Sequence, residues 1–97
     1  MAVIEHALLP VRAGSEAAFE AAVAEARPLI EASPGFILLE IRRPTGTGQP
    51  YLLLVEWRSV EDHREGFRQS DRYQQWRMLL HPFYDPMPVV SYFGDLV

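Results

Sequence analysis

The sequence has no cysteine and no lysine; its nine basic residues are all arginine. Without cysteine there is no thiol nucleophile, no thiolate metal site and no disulfide framework. Without lysine there is no Schiff-base chemistry on a side-chain amine. The arginine bias itself reads as genomic composition. Long apolar runs are missing too: the longest is five residues, Tyr51 to Val55, against about 20 for a bilayer span. No membrane partner is therefore expected. Clustered basic charge is also absent, since the net charge is −4 and the arginines are scattered. That excludes the positive stripe of a nucleic-acid footprint. The N-terminal residues lack a basic segment followed by a long apolar one, so no signal peptide is expected and the cytoplasm is the expected compartment.

What is present is ordinary globular composition, 48% hydrophobic and 23% charged over 97 residues. That length predicts one domain, residues 1–97. A domain this small buries only about 60–68% of its unfolded surface. A partner subunit is then a ready source of further burial.

Residues Ala2–Val11 alternate as a strand, with Ile4, His6 and Leu8 on one face and Val3, Glu5, Ala7 and Leu9 on the other. Ser15 is placed to cap a helix whose apolar face is Phe19, Val23, Ala26 and Ile30. Pro28 should break or kink that helix near Ala26. Phe36–Arg43 and Tyr51–Arg58 read as strands around a Pro/Gly-rich loop, an antiparallel pair. Ser59 and Asp62 resemble a capping box, starting a helix that ends near Gln69. Ser70 caps a last helix to Leu80, with Tyr73, Trp76 and Leu80 facing inward. Val89–Leu96 reads as the final strand.

Strand, helix, strand, strand, helix pair, strand is the split β-α-β order of ferredoxin-like α+β folds: a four-stranded antiparallel sheet with helices on one face. A sheet covered on one side should alternate apolar and polar residues. Here Leu53, Val55 and Trp57 alternate with Leu52, Leu54 and Glu56, and Phe36, Leu38 and Glu40 with Ile37, Leu39 and Ile41. Both faces call for burial, so a homodimer through the face bearing Leu52 and Leu54 is expected, two sheets closing a dimeric α+β barrel.

Four features carry a family resemblance: that strand order with its apolar second face; Leu52 to Ser59, a strand that ends in Trp57 and leads into a helix cap; His63 six residues after that tryptophan, then Phe67 and Ser70-Asp71-Arg72-Tyr73; and the tail His81-Pro82-Phe83-Tyr84 leading to Pro88-Val89-Val90. In these the chain resembles the antibiotic biosynthesis monooxygenase family of dimeric α+β barrels over almost its whole length. The resemblance implies oxygenation of a small phenol- or quinol-like aromatic with no metal, flavin or haem, because a deprotonated electron-rich ring can itself pass an electron to dioxygen. The protein must bind the ring, promote proton loss and exclude water. By the same resemblance Trp57 is the family's tryptophan and Arg77 its arginine on the last helix. His63 stands where the polyketide-tailoring branch has tyrosine, and Leu53 where it has asparagine. The haem-degrading branch carries an asparagine on the first strand and a histidine on the last helix; this chain has His6-Ala7 and Trp76-Arg77 there, which points away from haem.

Taken one by one, His63, Trp57 and Arg77 are the candidate catalytic residues: a proton acceptor near neutral pH, a ring or N–H donor for substrate, and a cation for an anionic oxygen. Their competing structural roles are a helix histidine paired with Glu56 or Glu61, a core tryptophan, and a surface ion pair. Phe67, Tyr73, His81, Tyr84 and Leu53 are the candidate substrate-binding residues; core packing competes for the aromatics, and a helix C-terminal role for His81. The histidines at 6, 63 and 81 have no ligand spacing, so no metal site is expected. Two other functions compete with an oxygenase on this fold: a non-catalytic small-molecule-binding or stress-accessory dimer, and an isomerase or decarboxylase using His63 as proton shuttle.

Overall fold

The computed structural model describes residues 2–97. Its elements run β1 (Val3–Leu9), α1 (Glu16–Glu31), β2 (Phe36–Arg42), β3 (Tyr51–Trp57), a π-helical segment Asp62–Phe67, α2 (Asp71–Leu80), a 3-10 turn His81–Phe83 and β4 (Ser91–Phe93). The strands form one antiparallel sheet in the order β2-β3-β1-β4. This is the expected ferredoxin-like fold, with the two strands nearest in sequence to the chain centre, β2 and β3, paired across the Pro44–Pro50 loop.

Period-two alternation decides which side chains meet the helices. Glu5, Ala7 and Leu9 from β1, Leu39 from β2, and Tyr51, Leu53, Val55 and Trp57 from β3 are buried on the covered face. Phe19, Ala26 and Ile30 of α1, Phe67, and Trp76 and Leu80 of α2 close over them. The opposite face stays apolar and uncovered: Leu8 is 50%, Leu38 48% and Phe93 57% exposed, beside half-buried Ile4, His6, Leu52 and Leu54. His6 lies there, edge-on to Phe93 at 5.7 Å.

Several boundaries differ from the sequence pattern. Helix α1 continues through Pro28 to Glu31. Only a short turn follows the proline, and burial of Ala26 and Ile30 on either side of it offsets the one missing hydrogen bond. Ser15 precedes α1 without capping it through its side chain; the Glu16 carboxylate instead accepts from the Gly14 N–H at 2.9 Å. A bulge between Phe36 and Leu38 turns Phe36 to the covered face, so Phe36 does not share a face with Leu38 and Glu40. Strand β4 keeps only three residues of the expected eight, and β1 ends at Leu9. Beyond it Pro10 and Arg12 bond instead to Asp85 and Phe83, which leaves Val11 a single bridge to Tyr84.

Candidate active site

Three elements converge under the end of the sheet. Strand β1 places Glu5 on the covered face, and the sheet register sets it opposite Val55 of β3 and Tyr92 of β4. Strand β3 ends with Trp57, fully buried. Ser59 then caps the next turn, its hydroxyl accepting the Asp62 N–H at 3.1 Å. The following turn is widened to π geometry, with Arg68 N–H donating to the His63 carbonyl five residues back at 2.9 Å. This directs both His63 and Phe67 inward. Ser70 caps α2 as expected, accepting from Tyr73 N–H at 3.2 Å.

The result is a buried polar cluster inside an aromatic core. Trp57 Nε1–H donates to Glu5 Oε1 at 2.9 Å. His63 Nε2 lies 3.4 Å from the same oxygen, and His63 Nδ1 lies 2.6 Å from Tyr92 Oη. Glu5 is 6% and His63 3% exposed. Desolvation raises the Glu5 carboxyl from 4.5 to about 7, opposed by the Trp57 N–H and the Arg68 guanidinium. Desolvation, then the Arg68 and Arg64 charges, lower His63 from 6.5 to about 4. Burial thus favours the uncharged form of both groups. The Arg64 guanidinium sits 5.6 Å over the Tyr92 ring, and burial raises the Tyr92 hydroxyl.

Beside this cluster is a cavity of about 400 Å³, within the size range of small-molecule sites. Glu5 and His63 form one part of its wall, and Arg68 and Arg77 supply two cations with no side-chain partner among the described residues. Aromatic rings of Phe67, Tyr73, Trp76 and Tyr84 make up much of the remainder. His81 also borders it; burial, then Arg77 and Arg68, lower its pKa.

Of the sequence candidates, His63, Arg77, Phe67, Tyr73, His81, Tyr84 and Leu53 all border this one cavity. Trp57 does not; it lies behind the wall, holding Glu5. The carboxylate beside His63 is Glu5, not Glu56 or Glu61. Glu5, Tyr92 and Arg68 are the residues the sequence pattern passed over. The signal for Glu5 was there: it is the single acid among Val3, Ala7 and Leu9 on the helix-facing side of β1. Tyr92 had none, since its place beside Glu5 depends on β4 joining the β1 edge. Among the described residues no group of three histidines and carboxylates is arranged to hold a metal ion. No helix is long and apolar enough to cross a membrane.

A ferredoxin-like sheet roofed by helices, with an aromatic-walled cavity and a buried carboxyl–imidazole pair, defines the class as an α+β domain. The chain belongs to the antibiotic biosynthesis monooxygenase family, whose model matches residues 2–78. It is 45% identical over 94 residues to the uncharacterised protein YczJ of Bacillus subtilis (strain 168), covering 97% of this chain and 99% of that one. It superposes on a Bordetella bronchiseptica structure placed among the antibiotic biosynthesis monooxygenases with a TM-score of 0.92 and 35% identity, over 99% of this chain and 98% of the other. It shares its fold with SnoaB, a cofactor-independent oxygenase from Streptomyces nogalater, at a TM-score of 0.77 and 14% identity, over 99% of this chain and 92% of that one.

Proposed function

We propose that this protein is a cofactor-independent monooxygenase of a small, electron-rich aromatic of the phenol or quinol class. The observation that carries the reading is the aromatic-walled cavity of about 400 Å³ with the buried Glu5–His63 pair in its wall. Membership of the family supports it. The rings hold a planar substrate, and their apolar surface keeps water from the reacting anion. The acid–base pair removes the hydroxyl proton. The Arg68 and Arg77 charges favour the anion so formed. The electron-rich ring then reduces dioxygen: phenol plus O2 gives quinone plus water, with both hydrogens of the water coming from the substrate.

The apolar open face of the sheet supports a homodimer packed sheet to sheet, with Leu8, Leu38, Leu52, Leu54 and Phe93 at its centre.

Oxygen consumption across a panel of hydroquinones and naphthols tests the activity. The expected result is stoichiometric quinone formation, unaffected by chelator, and a loss of about 100-fold or more in His63→Ala. No uptake with any electron-rich ring overturns the reading in favour of a binding domain. Turnover under anaerobic conditions overturns it in favour of an isomerase or decarboxylase.

A further inference from the structure

We propose that Glu5, not His63, takes the proton from a substrate in this cavity, and that His63 and Tyr92 are positioning residues that hold the carboxylate. The proposal rests on the reading above that the cavity is where a substrate is deprotonated.

Free valences distinguish the two groups. The His63 ring is hydrogen-bonded at one nitrogen: Nδ1 lies 2.6 Å from Tyr92 Oη, while Nε2 lies 3.4 Å from Glu5 Oε1 without hydrogen-bond geometry. We assign the Tyr92 hydroxyl as donor to Nδ1; Nε2 then carries the ring proton and has no lone pair left for a ligand's proton. Glu5 differs. Its Oε1 accepts the Trp57 N–H, while Oε2 has no hydrogen-bond partner among the described residues. No fully enclosed side-chain oxygen or nitrogen there lacks a partner, so Oε2 is open, and the space it opens to is the cavity. Glu5 is also the single acid in that wall. A phenolic O–H bound against the aromatic rings therefore meets a carboxylate oxygen with free lone pairs.

The neighbours complete the assignment. The assigned tautomer sets the Nε2 proton on the side of Glu5 Oε1, 3.4 Å from the nitrogen. That oxygen accepts the Trp57 N–H and has the His63 ring beside it, which leaves Oε2 toward the cavity. In the step itself the substrate O–H bond breaks, an H–Oε2 bond forms and the electron pair stays on the substrate oxygen. The same proton is available to the water formed when the O–O bond breaks. The groups bearing on the Glu5 charge are Trp57 from β3, His63 from the π-helical segment, Arg68 just after it and Tyr92 from β4. From α2 come Arg77 and Tyr73 across the cavity, and from α1 only the apolar Ile30. The raised Glu5 and lowered His63 values agree with this division.

The test combines NMR of the full chain, labelled at glutamate carboxyls and histidine nitrogens, with oxygen-uptake kinetics. Between about pH 5 and about pH 9 the Glu5 carboxyl is expected to titrate in the neutral range while His63 stays a single neutral tautomer protonated on Nε2. Tyr92→Phe should mix the two tautomers. It should lower kcat by about 10-fold at unchanged KM and move the rising limb of the pH profile. Glu5→Gln should cost about 1,000-fold or more in kcat and abolish that limb. Glu5→Gln that keeps turnover with the wild-type limb overturns the proposal. So does a His63 titrating near neutrality beside a carboxyl at its ordinary value. If no aromatic is oxidised, the oxygenase reading fails, and the NMR titration alone still decides the acid–base assignment.

Discussion

Trp57 shows how far the role of one residue can depend on where its polar atom points. Its ring packs in the core against Phe36, Phe67 and His63, and its N–H reaches Glu5. The tryptophan is therefore placed to tune a carboxyl from behind the cavity wall. Trp57→Phe removes that donor, which lowers the Glu5 pKa, so the carboxyl midpoint is expected to climb further above about 7. Carbon-detected NMR titration reads this directly, and urea unfolding should show a loss of about 1–3 kcal/mol. A midpoint unchanged in Trp57→Phe would refute the tuning role.

The Glu5–His63 pair also makes a stability prediction with opposing signs. Glu5 is raised, so the folded protein holds its proton more firmly than the unfolded chain between 4.5 and about 7. Its contribution is present below 4.5 and is lost as pH rises through about 7. His63 is lowered, so its contribution is present above 6.5 and is lost as pH falls through about 4. Across the shared window the two slopes cancel, and the wild type should show little pH dependence from this pair. Removing one partner uncovers the other. His63→Gln should lose stability as pH rises from about 4.5 to about 7, and Glu5→Gln should gain it from about 4 to about 6.5, each by about 3 kcal/mol at most. Chemical denaturation at several pH values distinguishes the slopes; parallel curves for the two variants would contradict the assignment.

At the scale of elements, the π-helical segment matters most. An α-helical turn was expected after Ser59, and the capping serine is there, but the turn runs one residue wider. Hydrophobic spacing does not separate four-residue from five-residue closure over a single turn. The widening is set by what lies beneath it: His63 and Phe67 packed on Trp57. Gly35 locks this segment to the start of β2. It has φ +84, and a Cβ there would overlap the Asp62 side chain, which itself belongs to the Ser59 cap. Gly35→Ala should cost about 2 kcal/mol or more and lower Tm, because backbone strain and displacement of the cap add. Ser70→Ala should cost about 1 kcal/mol through loss of the bond from Tyr73 N–H. Scanning calorimetry on both variants checks the order, with Gly35→Ala the more damaging. Strand β4 gives a second lesson: its apolar Val89 and Leu96 look like strand, yet both lie outside it, 80% and 100% exposed, since only Ser91–Phe93 reach the β1 edge.

At the scale of the molecule, the open sheet face is apolar and has no cover among the described residues. Isolated apolar residues are common on surfaces, but Leu8, Leu38 and Phe93 lie together with Ile4, Leu52 and Leu54 on one flat face. In the proposed dimer a charge there has no water and no counter-ion. Leu54→Asp is therefore expected to shift sedimentation from dimer to monomer or to abolish solubility, while the wild type sediments as a dimer at micromolar concentration. A well-folded wild-type monomer would refute the sheet-to-sheet dimer.

The sequence by itself determined the order of elements, the covered face of β3 and the serine caps at 59 and 70. These follow from local rules, period two in strands, caps and turn residues, which act between near neighbours in the chain. Tertiary structure decided the rest. It carried α1 through Pro28, because burial of Ile30 outweighs one missing hydrogen bond. It moved Trp57 off the cavity wall, and it brought Glu5, 58 residues before His63, beside the imidazole, with Tyr92 on the far side. A carboxyl acquires its acidity from desolvation and from neighbours distant in the chain, and no local pattern encodes either. The absent cysteine and lysine narrowed the chemistry to histidine, carboxylate, arginine and aromatic side chains, and the fold then set which of them faces the cavity.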